Sequence, residues 1–229
     1  MVDILKSVML TEAGVVHGFT TGTDFSTAAG FSALKETLQP TQPIYKMKQV
    51  HGNKVLVTSE MPPSEWTEAA ELEGDAVIAD TAAVAGVVTA DCVPILVSCK
   101  QSGLVAAVHA GWRGLKAGIV RQTIKAMMHR GASIGGMVCA IGPCICLNCY
   151  EVSKDVADLF PESSDPIKGS KDKYLLDLAL AAEVSLIGVG LSSVQIDKLE
   201  ICTSCGTEAL FSYRKSGGDC GRQYAFICK

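Results

Sequence analysis

Leu104-Val105-Ala106-Ala107-Val108-His109-Ala110-Gly111-Trp112-Arg113-Gly114-Leu115 carries the clearest structural and chemical signal in this 229-residue chain. Its first five residues are an uninterrupted apolar run, the pattern of a buried strand. From Leu115 the pattern turns helical, with Val120, Ile124, Met127 and Met128 recurring along one helix face. Between the two lies a turn holding an imidazole, two glycines, an indole and a guanidinium. Turns on rigid scaffolds are where functional side chains concentrate.

Outward from this stretch, strands are expected at 44–50, 54–58, 75–79, 84–90, 93–99, 104–109, 137–142, 194–201, 209–213 and 223–227. Helices are expected at 115–130, stopped by Gly131, at 152–160 before Pro161, and at 175–187 near Gly188. The polar segment 161–173 reads as a surface loop. Strands arrive in runs instead of alternating with helices, which favours an α+β fold of mixed β-sheets packed together with helices on the outside. No repeat, low-complexity tract or linker divides the chain, so a single domain spanning 1–229 is expected.

Hydrophobic residues make up 48% of the chain and charged ones 19%, enough apolar surface for a sizeable core. The net charge of −4 argues against a nucleic-acid face, which needs clustered Lys and Arg. No apolar run is long enough to span a bilayer. The expected partners are therefore small molecules, with no nucleic acid and no membrane, and no oligomeric state is implied. Met1-Val2-Asp3-Ile4 shows no basic n-region, so a cytoplasmic protein is expected. The ten cysteines then read as reduced thiols, with Cys99, Cys139 and Cys228 as small buried hydrophobes. Cys144-x-Cys146-x-x-Cys149 and Cys202-x-x-Cys205 resemble halves of a zinc ribbon, but lie much farther apart than in a compact one. The expectation is one metal per chain.

That metal has three candidate ligands at strand ends: His51 in Gln49-Val50-His51-Gly52, Cys92 in Ala90-Asp91-Cys92-Val93-Pro94, and His109. Two imidazoles and one thiolate suit Zn2+ with a fourth position left open, and would also accept Cu2+. Scattered ligands form no local motif, so two other readings stand beside this one. Cys92 and the histidines fit a plain core, or Cys92 fits a nucleophile with His109 as its base. The remaining histidines read as structural, His17 bracing an N-terminal turn and His129 on the solvent side of a helix end.

Several further segments appear in a recognisable order: Lys48-Gln49-Val50-His51-Gly52, Gly74-Asp75-Ala76, Thr89-Ala90-Asp91-Cys92-Val93-Pro94, His109 to Gly114, Ile141-Gly142-Pro143, Cys149-Tyr150-Glu151-Val152, Phe211-Ser212-Tyr213-Arg214 and Gly221-Arg222-Gln223. From about residue 16 to the end, the chain closely resembles the laccase-domain family, also described as multicopper polyphenol oxidases and as purine nucleoside phosphorylases. The resemblance implies a single α+β domain and zinc held by His51, Cys92 and His109. It also implies phosphorolysis of purine nucleosides, deamination of adenosine or oxidation of phenols. Kinship with a Cys-His toxin domain and with amidases of peptidoglycan precursors adds a hydrolase alternative. One departure stands out: Gly22 follows His17-Gly18-Phe19-Thr20-Thr21 where the family usually has an Arg nearby.

The residues narrow these activities. A multicopper oxidase needs a trinuclear cluster built largely of imidazoles, and four histidines cannot supply that cluster and a type 1 centre together. A zinc deaminase needs a carboxylate to move protons, for which Asp75 and Asp91 are candidates, strand-end caps being their structural alternative. Phosphorolysis needs an anion site. Arg113 before a helix is one candidate, Arg214 and Arg222 are others, and Gln49 is a further substrate contact. Trp112 reads as packing beside the site, and Glu151 as an acidic residue opening a helix. The expected function is zinc-dependent phosphorolysis of adenosine- and inosine-type nucleosides with adenosine deaminase activity.

Overall fold

Strands β7 (Val93–Cys99) and β8 (Leu104–Ala110) are buried at every position, so both of their faces must be covered. The coordinates, a computed structural model, describe residues 2–61 and 72–229 and show how this is done. Val93, Ile95 and Val97 pack with Ile119, Val120, Ile124 and Met127 of the helix Ile119–His129, and with Leu178 and Ala182 of the helix Leu178–Gly188. The alternate residue Leu96 points the other way, into a second cluster with Val87, Ala85 and Ile227. The period-two side-chain rule thus divides one hairpin between a helical layer and a second sheet.

The six-stranded sheet runs β13 (Ile196–Lys198), β9 (Met137–Ile141), β7, β8, β5 (Ala76–Ala79), β4 (Val55–Val57). The five-stranded sheet runs β1 (Asp3–Leu5), β2 (His17–Thr21), β14 (Gln223–Cys228), β6 (Val84–Thr89), β3 (Ile44–Tyr45). β4–β5, β9–β13 and β3–β6 are parallel and the other pairs in these two sheets antiparallel, so both are mixed. Phe31 and Leu34 of the helix Ala28–Leu38 pack with Tyr224 and Phe226 against the five-stranded sheet. The α+β architecture of packed mixed sheets with outer helices is the one the strand runs imply.

Register decides where the chemistry falls. Val93 pairs with Ala110 and Pro94 with His109, so Cys92, just before β7, lies at the same sheet end as His109. Ala76 pairs with Val108, which puts Asp75 beside His109, and the His109 N–H donates to the Asp75 carbonyl at 2.7 Å. Val55 pairs with Ala76, bringing the His51 loop ahead of β4 to that end as well.

Several local expectations are corrected. The strand expected at 44–50 ends at Tyr45, because the Gln49 amide replaces the main-chain ladder: Nε2 donates to Val88 O at 2.7 Å and Oε1 accepts from Val88 N at 2.8 Å. Gln223 does the same to Phe211, accepting from its N at 2.9 Å and donating to its O at 3.1 Å. The expected strand 209–213 therefore does not form, and Ser212 instead caps a short helix, Tyr213–Ser216. The strand expected at 194–201 shortens to β13, its first residues forming a 3-10 turn, Ser193–Gln195. The helix expected at 115–130 is two helices, Trp112–Ala117 and Ile119–His129, split where Gly118 takes φ +82°.

The helix expected at 152–160 shrinks to Lys154–Ala157 and that at 175–187 to Leu178–Gly188. Their leading residues, with part of the supposed loop 161–173, form a three-stranded sheet of β10 (Glu151–Ser153), β12 (Lys173–Leu176) and β11 (Ser164–Pro166). These pairings are tertiary and leave little periodic trace. Glu151 consequently opens a strand, not a helix, and its carboxylate pairs with Lys173 at 2.8 Å. His17 sits in β2, where Nε2 accepts from Ser7 N at 2.9 Å ahead of the helix Val8–Glu12.

Candidate metal centre

Asp75 organises the sheet end. It is fully buried and accepts N–H bonds from Val50 at 3.3 Å, His51 at 2.9 Å and Gly52 at 2.7 Å. His51 adopts φ +60°, a left-handed conformation uncommon for a non-glycine residue, and this turn gathers the three amides onto one carboxylate. The fourth partner is His109 Nδ1, 2.8 Å from Asp75 Oδ1. A carboxylate can only accept, so Nδ1 carries a proton and Nε2 is the ring nitrogen left for Cys92 or a metal. Burial works to raise the Asp75 pKa, but the His109 and amide hydrogen bonds outweigh it and hold the carboxyl below its usual range.

Cys92 is fixed by the residue before it. Asp91 takes φ +91°, and its Oδ1 accepts from Thr203 Oγ1 at 2.6 Å while Oδ2 accepts from the Arg214 N–H at 2.7 Å. Ile145 N donates to the Asp91 carbonyl at 3.0 Å. A strained residue held by three such bonds is characteristic of a positioned site. One ligand atom each from His51, Cys92 and His109 then lies within 4.8 Å of the other two. Burial pushes the Cys92 thiol up, yet hydrogen bonding to His109 and His51 brings it down to about 6. Cys92 thus favours the thiolate, the form that ligates metals. Against the opposing effect of burial, hydrogen bonds to Asp75 and then to Cys92 raise His109 to about 9.

Two imidazoles and a thiolate at this spacing fit a three-ligand metal centre with one open position. Gly111 shows how closely the backbone is drawn around it. A Cβ there would stand 2.8 Å from Cys92 Sγ and 3.1 Å from the His51 ring, so only glycine fits without displacing one of these side chains. The three side chains face a cleft of about 740 Å³, within the range of small-molecule sites.

Residues 23–229 match the family model described as multi-copper polyphenol oxidoreductase laccase. The chain belongs to this family. The match begins past Gly22, so the departure near His17 lies outside it. A purine nucleoside phosphorylase of Deinococcus radiodurans is 35% identical over 186 residues, covering 80% of this chain and 68% of its own. Adenosine deaminase RL5, from an unknown prokaryotic organism, is 34% identical over 153 residues, 63% of this chain and 57% of its own length. Among solved structures, YlmD from Geobacillus stearothermophilus superposes with a TM-score of 0.83 at 28% identity, covering 95% of this chain and 92% of that one. NMB0706 of Neisseria meningitidis gives 0.83 at 27% identity over 98% of each chain.

The other candidate site residues fall as follows. Asp91, Gln49, Arg113 and Arg214 line the cleft with the three ligands, and Asp75 lies behind them. Asp75 has four hydrogen-bond partners and each Asp91 carboxylate oxygen has one, so both carboxylates brace the turns that carry His51 and Cys92. Gln49 likewise holds Val88 with both ends of its amide. Arg113 is the second residue of the helix Trp112–Ala117, not a residue preceding it, and its guanidinium lies 4.2 Å from the centroid of Trp112. The Arg214 guanidinium stacks over Tyr150 at 4.9 Å and donates to Glu151 O at 2.8 Å.

Cleft residues that sequence reasoning missed are Lys46, Thr89, Tyr150 and Tyr213. Thr89 Oγ1 is buried with no hydrogen-bond partner among the described residues, an open polar contact on the cleft wall. Tyr150 and Tyr213 stand in segments that carry the family resemblance, which was the available signal. Thr89 stands in one as well, whereas Lys46 lies in none.

Proposed function

We propose that this laccase-family chain is a zinc-dependent enzyme of purine nucleosides, cleaving adenosine- and inosine-type substrates with phosphate and deaminating adenosine. The observation that carries this reading is the juxtaposition, in one cleft, of the His51–Cys92–His109 ligand set with cationic and aromatic walls. Lys46, Arg113, Arg214 and Arg222 supply positive charge where phosphate would bind. Trp112, Tyr150 and Tyr213 supply flat faces for a purine. The relatives named purine nucleoside phosphorylase and adenosine deaminase support the substrate class.

Zinc held by His51, Cys92 and His109 would supply Lewis acidity near neutral pH. The chain's own residues do the rest. Asp75 keeps His109 in one tautomer and orientation. The arginines hold phosphate for attack on the ribose anomeric carbon, so that the bond to the purine nitrogen breaks and the base leaves with a proton. In deamination, water replaces the exocyclic amine, which departs as ammonia. Copper fits the same three ligands. Phenol oxidation through a multicopper cluster does not, because His17 is bonded inside β2 and His129 ends a helix, leaving two imidazoles at the cleft.

A second reading is favoured by the Asp75–His109–Cys92 chain, which has the order of an orienting acid, a base and a thiol nucleophile. It would make the protein a cysteine amidase. Zinc-loaded protein incubated with adenosine, with and without phosphate, separates the two. The proposal expects adenine and ribose 1-phosphate only when phosphate is present, and inosine in both cases. No turnover of any purine nucleoside would contradict it.

A further inference from the structure

Four cysteines away from the cleft converge although they come from segments 56 residues apart. Cys146 and Cys149 lie on the loop after β9, and Cys202 and Cys205 on the loop after β13. Their sulfurs all lie within 4.8 Å of one another. Cys146 Sγ and Cys205 Sγ are 3.8 Å apart, which is about the edge of a zinc tetrathiolate built from Zn–S bonds of ~2.3 Å. We propose that Cys146, Cys149, Cys202 and Cys205 bind a structural zinc ion, a second metal site independent of the His51–Cys92–His109 centre.

Backbone geometry supports this beyond the clustering. Cys202 Sγ accepts N–H bonds from Cys146 at 3.4 Å, Ser204 at 3.3 Å and Cys205 at 3.4 Å. Three amides aimed at one sulfur favour a thiolate, and C-x-x-C turns wrapped around their first sulfur are the form in which paired cysteines present ligands to a tetrahedral ion. A bridge pairs Cys144 with Cys202, with Cys144 N donating to Ile201 O at 3.2 Å and Thr203 N to Cys144 O at 3.0 Å. The two loops are thus in register before any ion is added. Zinc would displace the thiol protons to solvent and close all four positions, the hallmark of a structural site.

The site has a consequence for the cleft. Thr203, between Cys202 and Cys205, donates to the Asp91 carboxylate, and Tyr150, next to Cys149, is part of the cleft wall. A closed zinc tetrathiolate would pin both loops and, through them, the turn presenting Cys92.

The test is zinc stoichiometry of full-length, untagged protein purified under reducing conditions, comparing wild type with Cys205→Ser. The variant is expected to contain at least one equivalent less zinc per chain than wild type, since loosening the two loops can only lower occupancy of the cleft site further. Cys205→His should keep that equivalent, since three thiolates and an imidazole also hold zinc. Should Cys205→Ser fail to fold, cobalt substitution of Cys92→Ala decides the question, because these four thiols are then the clustered sulfur donors. Intense sulfur-to-cobalt charge-transfer bands with tetrahedral visible bands are expected. Equal zinc in wild type and Cys205→Ser, a cobalt spectrum without thiolate bands, iron in place of zinc, or disulfides among these cysteines in metal-free reduced protein would each overturn the proposal.

Discussion

Cys92→Ala is expected to lower kcat/KM for adenosine phosphorolysis by at least about a thousandfold, because it removes a member of a set that acts as one unit. The folded structure should survive, since Cys92 is only half-buried and the bonds holding the turn belong to Asp91. Loss of activity alone would not separate a ligand from a nucleophile. Cys92→Asp does so: a carboxylate can still ligate zinc but cannot replace a thiol nucleophile. The metal reading expects Cys92→Asp to keep measurable zinc and turnover, while the cysteine-hydrolase reading expects neither variant to work.

The second large effect is on stability. Asp75→Ala takes the acceptor from the buried Nδ1–H of His109 and from the amides of Val50, His51 and Gly52, which lie on a partly exposed turn. Each unsatisfied buried donor costs about 1–3 kcal/mol. Water can reach the turn amides, so the net loss is about 3 kcal/mol, which in a chain of this size lowers Tm by roughly 6–12 °C. Asp75→Asn fills the space but turns one acceptor into a donor that faces N–H groups. Metal affinity should fall about 10–100-fold in that variant, the usual effect of losing a carboxylate that orients a histidine ligand. Calorimetry and zinc titration check the two halves. A Tm within about a degree of wild type for Asp75→Ala would show that the carboxylate does not organise the sheet end.

Much of this arrangement is legible in the order of residues. The hairpin of β7 and β8 follows from two apolar runs, and its register alone brings Cys92 to His109. His51, Cys92 and His109 stood out as chemically distinctive residues at strand ends, and the family resemblance chose the metal reading from the alternatives. Other features were hidden for physical reasons. Gln49 and Gln223 substitute side-chain amides for a backbone ladder, so the strand pattern at 44–50 and 209–213 promised pairing that another group supplies. The sheet of β10, β12 and β11 arises from tertiary pairing of three- and four-residue segments, too short for periodicity to register. The orienting roles of Asp75 and Asp91 depend on left-handed turns at His51 and Asp91, and the modest preference of His and Asp for positive φ does not place such turns along a chain. The convergence of Cys146, Cys149, Cys202 and Cys205 needed the parallel pairing of β13 with β9, which sets the two loops side by side.

The most direct test of the account is nucleoside turnover during removal and restoration of zinc. Protein stripped by a chelator, then titrated with zinc in the presence of adenosine and phosphate, is predicted to lose and regain production of adenine and ribose 1-phosphate in proportion to occupancy of the His51–Cys92–His109 centre, with Cys92→Ala silent throughout. Turnover that persists undiminished in the stripped enzyme, or that fails to return once the centre is filled, would contradict it.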